Sequence, residues 1–422
     1  MRSATSAFSV RWSAQERCAA CSPRCALIDT LLGDPPAEDW RVYAPVLRAK
    51  ASEWKALAAL SPGVRRRIAP IIEFVPHWRE PGASTSTRKR RAPQTPAEYL
   101  ERFLEASVKA TPSGTRSFVY FGLAGSDPKW SGIDLWSEFE TRVPAQTRMV
   151  PLVDLGAVGS SAVLARVARS RGEVGLQFEG TDVSSALAAR ITIALQTLGV
   201  AAASAHLVVD LKDAPAAVSH ARLRAATGNS DEFASTVLLA GVFPQDLTHY
   251  QPGITAELRT EWQTWWHEHL ATPAGERLLG FGDYTTQCSR YRVSPEVAPS
   301  VSLRYTTDEA VLVFRGRQSN SGAGLGHEQM HGHCRLLVRR PDYDGAPFSS
   351  GDQHIYCWTD PSNGPGGATQ WRTASLVHHI THVVAQLQDP LGSSATARAW
   401  ARAQIPPACP QRRRSRRGLA RT

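Results

Sequence analysis

The sequence of 422 residues predicts an α/β protein built on a (β/α)8 barrel of the TIM type, with a long insertion before its last helix. From Val42 onward, strand-like and helix-like segments alternate, which indicates right-handed crossovers and a parallel sheet. About eight such units extend over roughly 250 residues, the size of this kind of barrel. A doubly wound open sheet is the alternative, but no G-x-G-x-x-G loop follows the first strand.

The first unit lies between Tyr43 and Pro76 and has the order strand, short helix, strand. Residues 43–47 form an apolar run, and residues 53–60 carry apolar side chains at helical spacing. Residues 68–75 are apolar on both faces apart from Glu73, as expected for a parallel strand that helices cover. This unit therefore sets the pattern that the rest of the chain repeats.

The remaining units follow the same alternation. The predicted strands are residues 42–47, 68–75, 117–123, 148–155, 173–179, 206–211, 235–241 and 278–284. The predicted helices are residues 53–60, 97–110, 131–142, 160–170, 184–198, 215–226 and 256–270, with an eighth at 375–388. Pro96 at a first helical position, and Ser131 and Ser184 as N-terminal residues, are typical helix starts.

Residues 285–374 interrupt the alternation and form the predicted insertion. The segment SVSLRYTTDEAVLVFRG, beginning at Ser300, predicts a hairpin that turns at residues 306–308. Since the insertion follows the last strand, we expect it over the C-terminal face of the barrel, where sites are built. The predicted barrel domain covers residues 41–390.

The two ends of the chain differ from this domain. Residues 1–40 predict a poorly ordered leader without a secretory signal, and residues 391–422 predict a disordered tail rich in arginine. Seven arginines after residue 400 and four basic residues at 88–91 account for the basic charge, because removing these eleven charges from +10 leaves −1. Such segments are usually solvated, and at most we expect weak contact with nucleic acid. No apolar run is long enough to span a membrane.

The seven cysteines are expected to be reduced thiols in a cytoplasmic protein, because Cys288, Cys334, Cys357 and Cys409 lie far apart in sequence. The C-x2-C-x3-C run that starts at Cys18 resembles a metal motif, but no fourth ligand follows at a familiar spacing.

Acidic residues mark the ends of four predicted strands: Glu73, Asp154, Glu179 and Asp210. The last three fall on consecutive strands, about 4.8 Å apart, so their carboxylates can converge at one end of the barrel and bind Mg²⁺ or Mn²⁺. Lys212, with Lys50 near the same end, is a candidate acid, base or phosphate ligand. The alternative is that these polar residues only mark where the strands meet solvent.

The GFGDY segment places two further candidates, Asp283 and Tyr284, at the end of the eighth strand. Loops after the last two strands of a barrel often hold a phosphate, and glycines allow close approach of a ligand. A tight turn that needs glycine explains the segment equally well.

Three other patterns have simpler explanations. The H-E-x-x-H-x-H sequence at His327 matches a zinc protease motif, but the surrounding glycines favour a flexible loop. His378, His379 and His382 can bind a metal or a substrate, yet histidines on an outer helix are usually satisfied by packing or water. The stripe of Trp262, Trp265 and Trp266, with Leu258 and Leu270, indicates packing against the barrel.

Six pieces of sequence lie between residues 42 and 388: the start of the first unit, GVFPQDL, R-x-E-W-x-x-W, GFGDY, FSSGDQHI and WRTASLVHHITHV. In these pieces the chain resembles the beta protein family of phages, prophages and bacterial genomes. The resemblance implies a role in phage–host conflict, such as exclusion, defence or neutralising a toxic partner. It supplies no catalytic residues.

Two functional hypotheses remain. The first is an interaction protein that binds an unknown protein or a small phosphorylated ligand through a polar pocket at the barrel mouth. The second is a metal-assisted hydrolase or lyase acting on a phosphorylated or nucleotide-like substrate, which requires the carboxylates to converge.

Overall fold

The computed structural model describes Leu32 and nine other parts of the chain. These are residues 42–76, 95–111, 114–125, 127, 130–228, 230–274, 276–291, 300–318 and 326–388. The predicted leader apart from Leu32, the basic segment at 88–91 and the tail at 391–422 lie outside these residues.

Eight parallel strands close into a barrel, so the predicted fold class is confirmed. The barrel strands are β1 (Ala44–Leu47), β2 (Ile71–Glu73), β3 (Ser117–Tyr120), β4 (Met149–Asp154), β5 (Val174–Glu179), β6 (Ala205–Lys212), β7 (Ser235–Ala240) and β9 (Gly280–Asp283). Neighbours in sequence are neighbours in space, and β9 closes the ring by pairing with both β7 and β1. Gly282 allows this closure, because a Cβ there would lie 2.8 Å from the carbonyl oxygen of Ala44.

Helices alternate with these strands. They are α1 (Ala51–Ala59), α2 (Pro62–Arg65), α3 (Pro96–Ala110), α4 (Gly122–Gly125), α5 (Leu135–Arg142), α6 (Ala162–Arg171), α7 (Leu187–Leu198), α8 (His220–Thr227), α9 (Thr260–Leu270), α10 (Gln329–Leu337), α11 (Ser350–Cys357) and α12 (Ala368–Gln388). Pro96 does lie at the start of a helix, where Thr95 and Glu98 form a capping box. Ser131 does not, because Asp134 caps α5 by accepting the N–H groups of Trp136 and Ser137.

A three-stranded antiparallel sheet stands outside the barrel. It consists of β8 (Gly253–Leu258), β10 (Ser300–Thr306) and β11 (Ala310–Gln318), with β11 in the middle. The predicted hairpin is confirmed as β10 and β11. The helix predicted from residue 256 is wrong over its first residues, because β8 occupies them. The ladder to β11 outweighs the helical spacing that continues into α9.

The hydrophobic core has an inner and an outer part. Inside the barrel, side chains from six strands, joined by Tyr284 just after β9, form one cluster that includes Val46, Ile71, Leu152 and Val208. Outside it, a larger cluster joins the strands to the helices, and there Trp262 and Trp265 pack against Phe281. The predicted tryptophan stripe therefore packs as expected, but Leu258 and Leu270 do not share it because both are exposed.

From Ala374 onward the last helix, α12, is almost entirely buried, since it packs against α1 on the barrel side and against β10 and α11 on the insertion side. None of the helices in the described part of the chain is long and apolar enough to cross a membrane. Cys288 and Cys334 are free thiols. The expectation of a reduced thiol is wrong for Cys357, which is disulfide-bonded.

The H-E-x-x-H segment is not a flexible loop throughout, because α10 begins at Gln329 despite the glycine at position 332. Its two motif histidines do not share a site. His327 lies with its ring 5.0 Å from that of Trp371, whereas Nδ1 of the buried His331 lies 2.6 Å from the carbonyl oxygen of Trp358.

Candidate functional site at the barrel mouth

Polar side chains line the C-terminal end of the barrel interior. Because side chains alternate along a strand, a residue two positions after an inward-facing apolar residue also faces inward. Val46, Ile71, Leu152 and Val208 belong to the interior cluster. The corresponding inward residues at the next level are Arg48, Glu73, Asp154 and Asp210, joined there by Tyr120, Gln177 and Tyr284. We call this set, together with Lys212, the polar mouth.

Arg48 and Glu73 form a buried ion pair on one side of the polar mouth. Nε of Arg48 donates to Oε2 of Glu73 over 2.7 Å, and both side chains are about one-twentieth exposed. Burial raises the pKa of Glu73, and Arg48 opposes that shift. The two terminal nitrogens of Arg48 donate to the carbonyl oxygens of Cys288 and Ser289, at 2.8 and 2.7 Å. Arg48 therefore ties the start of the insertion to the barrel.

Lys212, Asp210 and Tyr284 form the second group. Oδ2 of Asp210 accepts from Nζ of Lys212 at 2.5 Å and from the hydroxyl of Tyr284 at 2.6 Å. Asp210 is fully buried, whereas the Lys212 side chain is 28% exposed. Burial, Asp210 and Glu73 all raise the pKa of Tyr284, which therefore keeps its proton. The group presents one ammonium and one hydroxyl that share a single carboxylate.

The backbone around Lys212 directs its side chain to Asp210. The pairing of β6 with β7 shifts register between Asp210 and Lys212, which is a bulge that can re-aim a side chain. Lys212 has φ of 53°, a conformation that side-chain-bearing residues rarely adopt. Its N–H donates to Oδ1 of Asp210 over 3.0 Å, so Asp210 holds both the main chain and the side chain of Lys212.

Asp154 is the third acid of the polar mouth, and the hydroxyl of Tyr120 donates to its Oδ1 over 2.7 Å. Burial is the main cause that raises the pKa of Asp154. The Tyr120 hydrogen bond and Lys212 oppose this shift, while Asp210 adds to it. Among the contacts described, the hydrogen-bond partner of Asp154 is thus a neutral hydroxyl and not a cation.

The predicted metal ligands do not converge. We call Asp154, Glu179 and Asp210 the carboxylate triplet. Glu179 is exposed at the rim, at the start of the short helical turn Gly180–Asp182. Among the described residues, the ligand atoms of the triplet do not all lie within 4.8 Å of one another. The triplet therefore forms no preformed metal cage in the described part of the chain.

Asp283 lies on the other side of the barrel wall from Tyr284, because successive residues of a strand face opposite ways. Its carboxylate accepts a hydrogen bond from the hydroxyl of Tyr43, and Oδ2 lies 3.1 Å from Nε2 of His379. Burial acts to raise the pKa of Asp283, but His379 and Tyr43 outweigh it and hold that pKa below its usual value. The predicted candidates Asp283 and Tyr284 therefore do not share a site.

Arg259 and Glu261 are buried beside this cluster at the start of α9. Nη1 of Arg259 donates to the carbonyl oxygen of Thr307 and to Oε1 of Gln386, both at 2.9 Å. Burial raises the pKa of Glu261 to about 7, with Arg259 opposing the shift and Asp283 adding to it. Glu261 is therefore a buried carboxyl group that titrates near neutral pH.

With this geometry in place, the chain can be compared with known proteins. The sequence profile of the Beta protein family matches residues 43–385, from the start of the barrel to the last turns of α12. The chain belongs to the Beta protein family. No curated protein and no solved structure is significantly similar to it. The match includes both the barrel and the insertion, so the polar mouth lies wholly within the part shared with the Beta protein family.

Cations gather at the rim of the mouth in this Beta protein family member. The charged groups of Arg48 and Lys50 both face the ring of Tyr291, at 5.6 and 6.0 Å from its centre. Burial is the main cause that lowers the pKa of Lys50; the nearby Glu53 opposes the shift, and Arg372, Arg48 and Arg304 add to it. Burial and Arg372 likewise lower the pKa of Arg304 to about 9. Several cations therefore lie close together at the rim beside Glu53, and an anionic ligand would offset their repulsion.

Sequence reasoning missed three residues of the polar mouth: Arg48, Tyr120 and Gln177. The search for acids at strand ends found Glu73, Asp154 and Asp210, but it passed over the basic and hydroxyl partners. The alternation of inward and outward positions was a usable signal. Arg48 lies two residues after Val46, and Gln177 lies two residues after Gly175, where an added Cβ would lie 2.6 Å from the interior Leu152.

Proposed function

We propose that this Beta protein family member acts in phage–host conflict, by exclusion, defence or neutralising a toxic partner, and that it binds its ligand at the polar mouth. A cytoplasmic location is part of the proposal. Family membership supports the cellular role, and the arrangement at the end of the barrel supports the site.

The single observation that carries the site is the group of Lys212, Asp210 and Tyr284. Burying charged and hydroxyl groups inside a barrel is costly unless they are paired, and a hydrophobic layer of the same volume would avoid that cost. A polar layer at the C-terminal end, above an apolar interior, is where barrel proteins bind their ligands. The rim cations Lys50 and Arg304 favour a small phosphorylated ligand over a neutral one.

The proposal is tested by challenging cells with a panel of phages while they express the full chain, Lys212→Met or Tyr284→Phe. Arg166→Met is the matched control, since Arg166 pairs with Glu140 on the surface, away from the mouth. We expect the wild type and the control to reduce plating of at least one phage, and both mouth variants to lose that protection. Equal protection by all four proteins would contradict the site.

The second candidate function is an enzyme, a hydrolase or lyase acting on a phosphorylated or nucleotide-like substrate. The same group favours it, because an amine and a hydroxyl hydrogen-bonded to one buried carboxylate can transfer protons. The metal-assisted form, with Mg²⁺ or Mn²⁺, has less support, because the carboxylate triplet does not converge. Turnover of a phosphate ester panel that Lys212→Met abolishes would support the enzyme. No turnover by the wild type, with or without Mg²⁺, would leave the binding protein.

A further inference from the structure

A second polar cluster lies where α12 meets the insertion. Two histidines on α12, His378 and His382, are one turn apart and point the same way, as residues four apart on a helix do. Asp344 from the insertion faces them. One ligand atom from each of these three residues lies within 4.8 Å of the others, and all three residues are buried.

The two imidazole rings are oriented alike. In both, Nδ1 faces a buried carboxylate: it lies 2.9 Å from Oδ2 of Asp344 for His382 and 3.0 Å from Oδ2 of Asp352 for His378. In both, Nε2 faces an oxygen of the hairpin turn between β10 and β11. Nε2 of His378 lies 2.8 Å from the carbonyl oxygen of Thr306, and Nε2 of His382 lies 3.3 Å from Oδ1 of Asp308.

This pattern is that of a metal site with its outer contacts. A histidine that binds a metal usually turns its other ring nitrogen to a backbone carbonyl or a carboxylate, which fixes the ring. Here the carbonyl oxygen of Thr306 takes that outer role for His378, while Oδ1 of Asp308 only lies near the equivalent nitrogen of His382, and both Nδ1 atoms are left on the side of the buried acids. We propose that Asp344, His378 and His382 bind a divalent transition metal ion, with Zn²⁺ the expected ion.

Charge balance favours the same conclusion. Asp344 and Asp352 are both almost completely buried, and burying a carboxylate is costly unless it is paired. Asp352 already accepts hydrogen bonds from the hydroxyls of Ser349 and Tyr305, and a divalent ion held by neutral imidazoles would offset the remaining charge of the two acids. Two nitrogen ligands and one carboxylate suit Zn²⁺, whereas Mg²⁺ prefers oxygen ligands alone.

The surroundings indicate a structural role. The ring of Tyr305 stacks on His378 with 3.8 Å between ring centres, and the ring of Phe348 lies 5.7 Å from the same histidine. Because all three ligands are buried, the fourth position of a tetrahedral ion would not face solvent as the open position of a catalytic zinc site does. The ion would connect Asp344 of the insertion to the helix that packs on the barrel, independently of the proposed function of the polar mouth.

The test uses the full chain after removal of metals with a chelator. Zn²⁺ should raise the thermal midpoint and Mg²⁺ should not, because only an ion that binds the folded state stabilises it. Co²⁺ should bind once per chain and give a visible absorption band without a thiolate charge-transfer band, since the ligands are nitrogen and oxygen. The absence of a thiolate charge-transfer band would distinguish this site from a metal site with cysteine ligands.

His382→Asn should lose both the Zn²⁺ stabilisation and the Co²⁺ band, whereas the exposed His354→Asn on α11 should keep both. Asp344→Asn is the second variant if the first does not fold. If neither folds, the wild-type Co²⁺ spectrum decides alone. The proposal is overturned if Zn²⁺ leaves the wild-type midpoint unchanged, if Co²⁺ gives no band or a thiolate band, or if a folded ligand variant keeps the full response. In that case the cluster is a metal-free ion-pair network.

Discussion

Arg48→Met removes the one described cation that pairs with the buried Glu73 and cuts the two hydrogen bonds to Cys288 and Ser289. Methionine keeps much of the side-chain length, so the main loss is electrostatic. Both members of the ion pair are nearly inaccessible to water. Removing one partner of such a pair costs about 3–5 kcal/mol, because it leaves an uncompensated buried charge.

The assay is chemical unfolding of the full chain at pH 7, followed by circular dichroism. Arg166→Met is the matched control, because it breaks an exposed ion pair of similar length to Glu140, and its cost should be far smaller than that of the buried pair. Combining Arg48→Met with Glu73→Gln should recover part of the loss, since no unpaired charge then remains. If Arg48→Met costs no more than the control, the buried pair does not hold the mouth as described.

Three further outcomes follow from the same structure. The folded-state pKa of Glu261 is about 7 against an ordinary value of 4.5, so between these pH values the folded chain holds a proton that the unfolded chain has released. Unfolding free energy should therefore fall as pH rises through this window, by about 3 kcal/mol at most, and Glu261→Gln should remove that slope. Mg²⁺ should leave the thermal midpoint unchanged, because the carboxylate triplet does not converge; a rise that Glu179→Gln abolishes would reverse this conclusion. Trp265→Ala should cost about 3–5 kcal/mol in urea unfolding, because the ring is buried between α9 and the barrel, and a cost near zero would show that the helix is not packed there.

The barrel was predictable from sequence because its signal is repeated eight times. Each buried strand is an apolar run, and each run is followed by a helical pattern, so errors of a few residues at one boundary do not alter the topology. The strand β8 was missed because its six residues run directly into α9 and half of them were absorbed into the helical spacing. Its pairing with β11 is a contact between residues far apart in sequence, which local patterns do not report.

The acids of the candidate site could be predicted from the sequence, but the arrangement of their side chains could not. Counting acids near strand ends found Glu73, Asp154 and Asp210, which all face the mouth. The same counting included Glu179, which is exposed at the rim, and the GFGDY segment added Asp283, because neither pattern reports which face of the strand each side chain takes. A shift of one residue along β9 separates Tyr284 in the mouth from Asp283 behind the wall.

The buried histidines of α12 could not be assigned from sequence alone. Helical spacing put His378 and His382 on one face, but their acidic neighbours Asp344 and Asp352 come from the irregular insertion. The prediction that packing or water satisfies these two histidines is wrong, because a buried carboxylate lies within hydrogen-bond distance of each ring.

The central claim is that the polar mouth binds a small phosphorylated ligand through Lys212 and Tyr284. Isothermal titration of the full chain with inorganic phosphate, phosphate monoesters and nucleotides tests it most directly, with Lys212→Met, Tyr284→Phe and the surface control Arg166→Met measured alongside. We expect at least one ligand to bind the wild type and the control equally, and to bind each mouth variant about tenfold or more weakly, the loss expected for one hydrogen bond to a charged group. Binding of equal strength by all four proteins, or no binding of any of these ligands by the wild type, would contradict the claim.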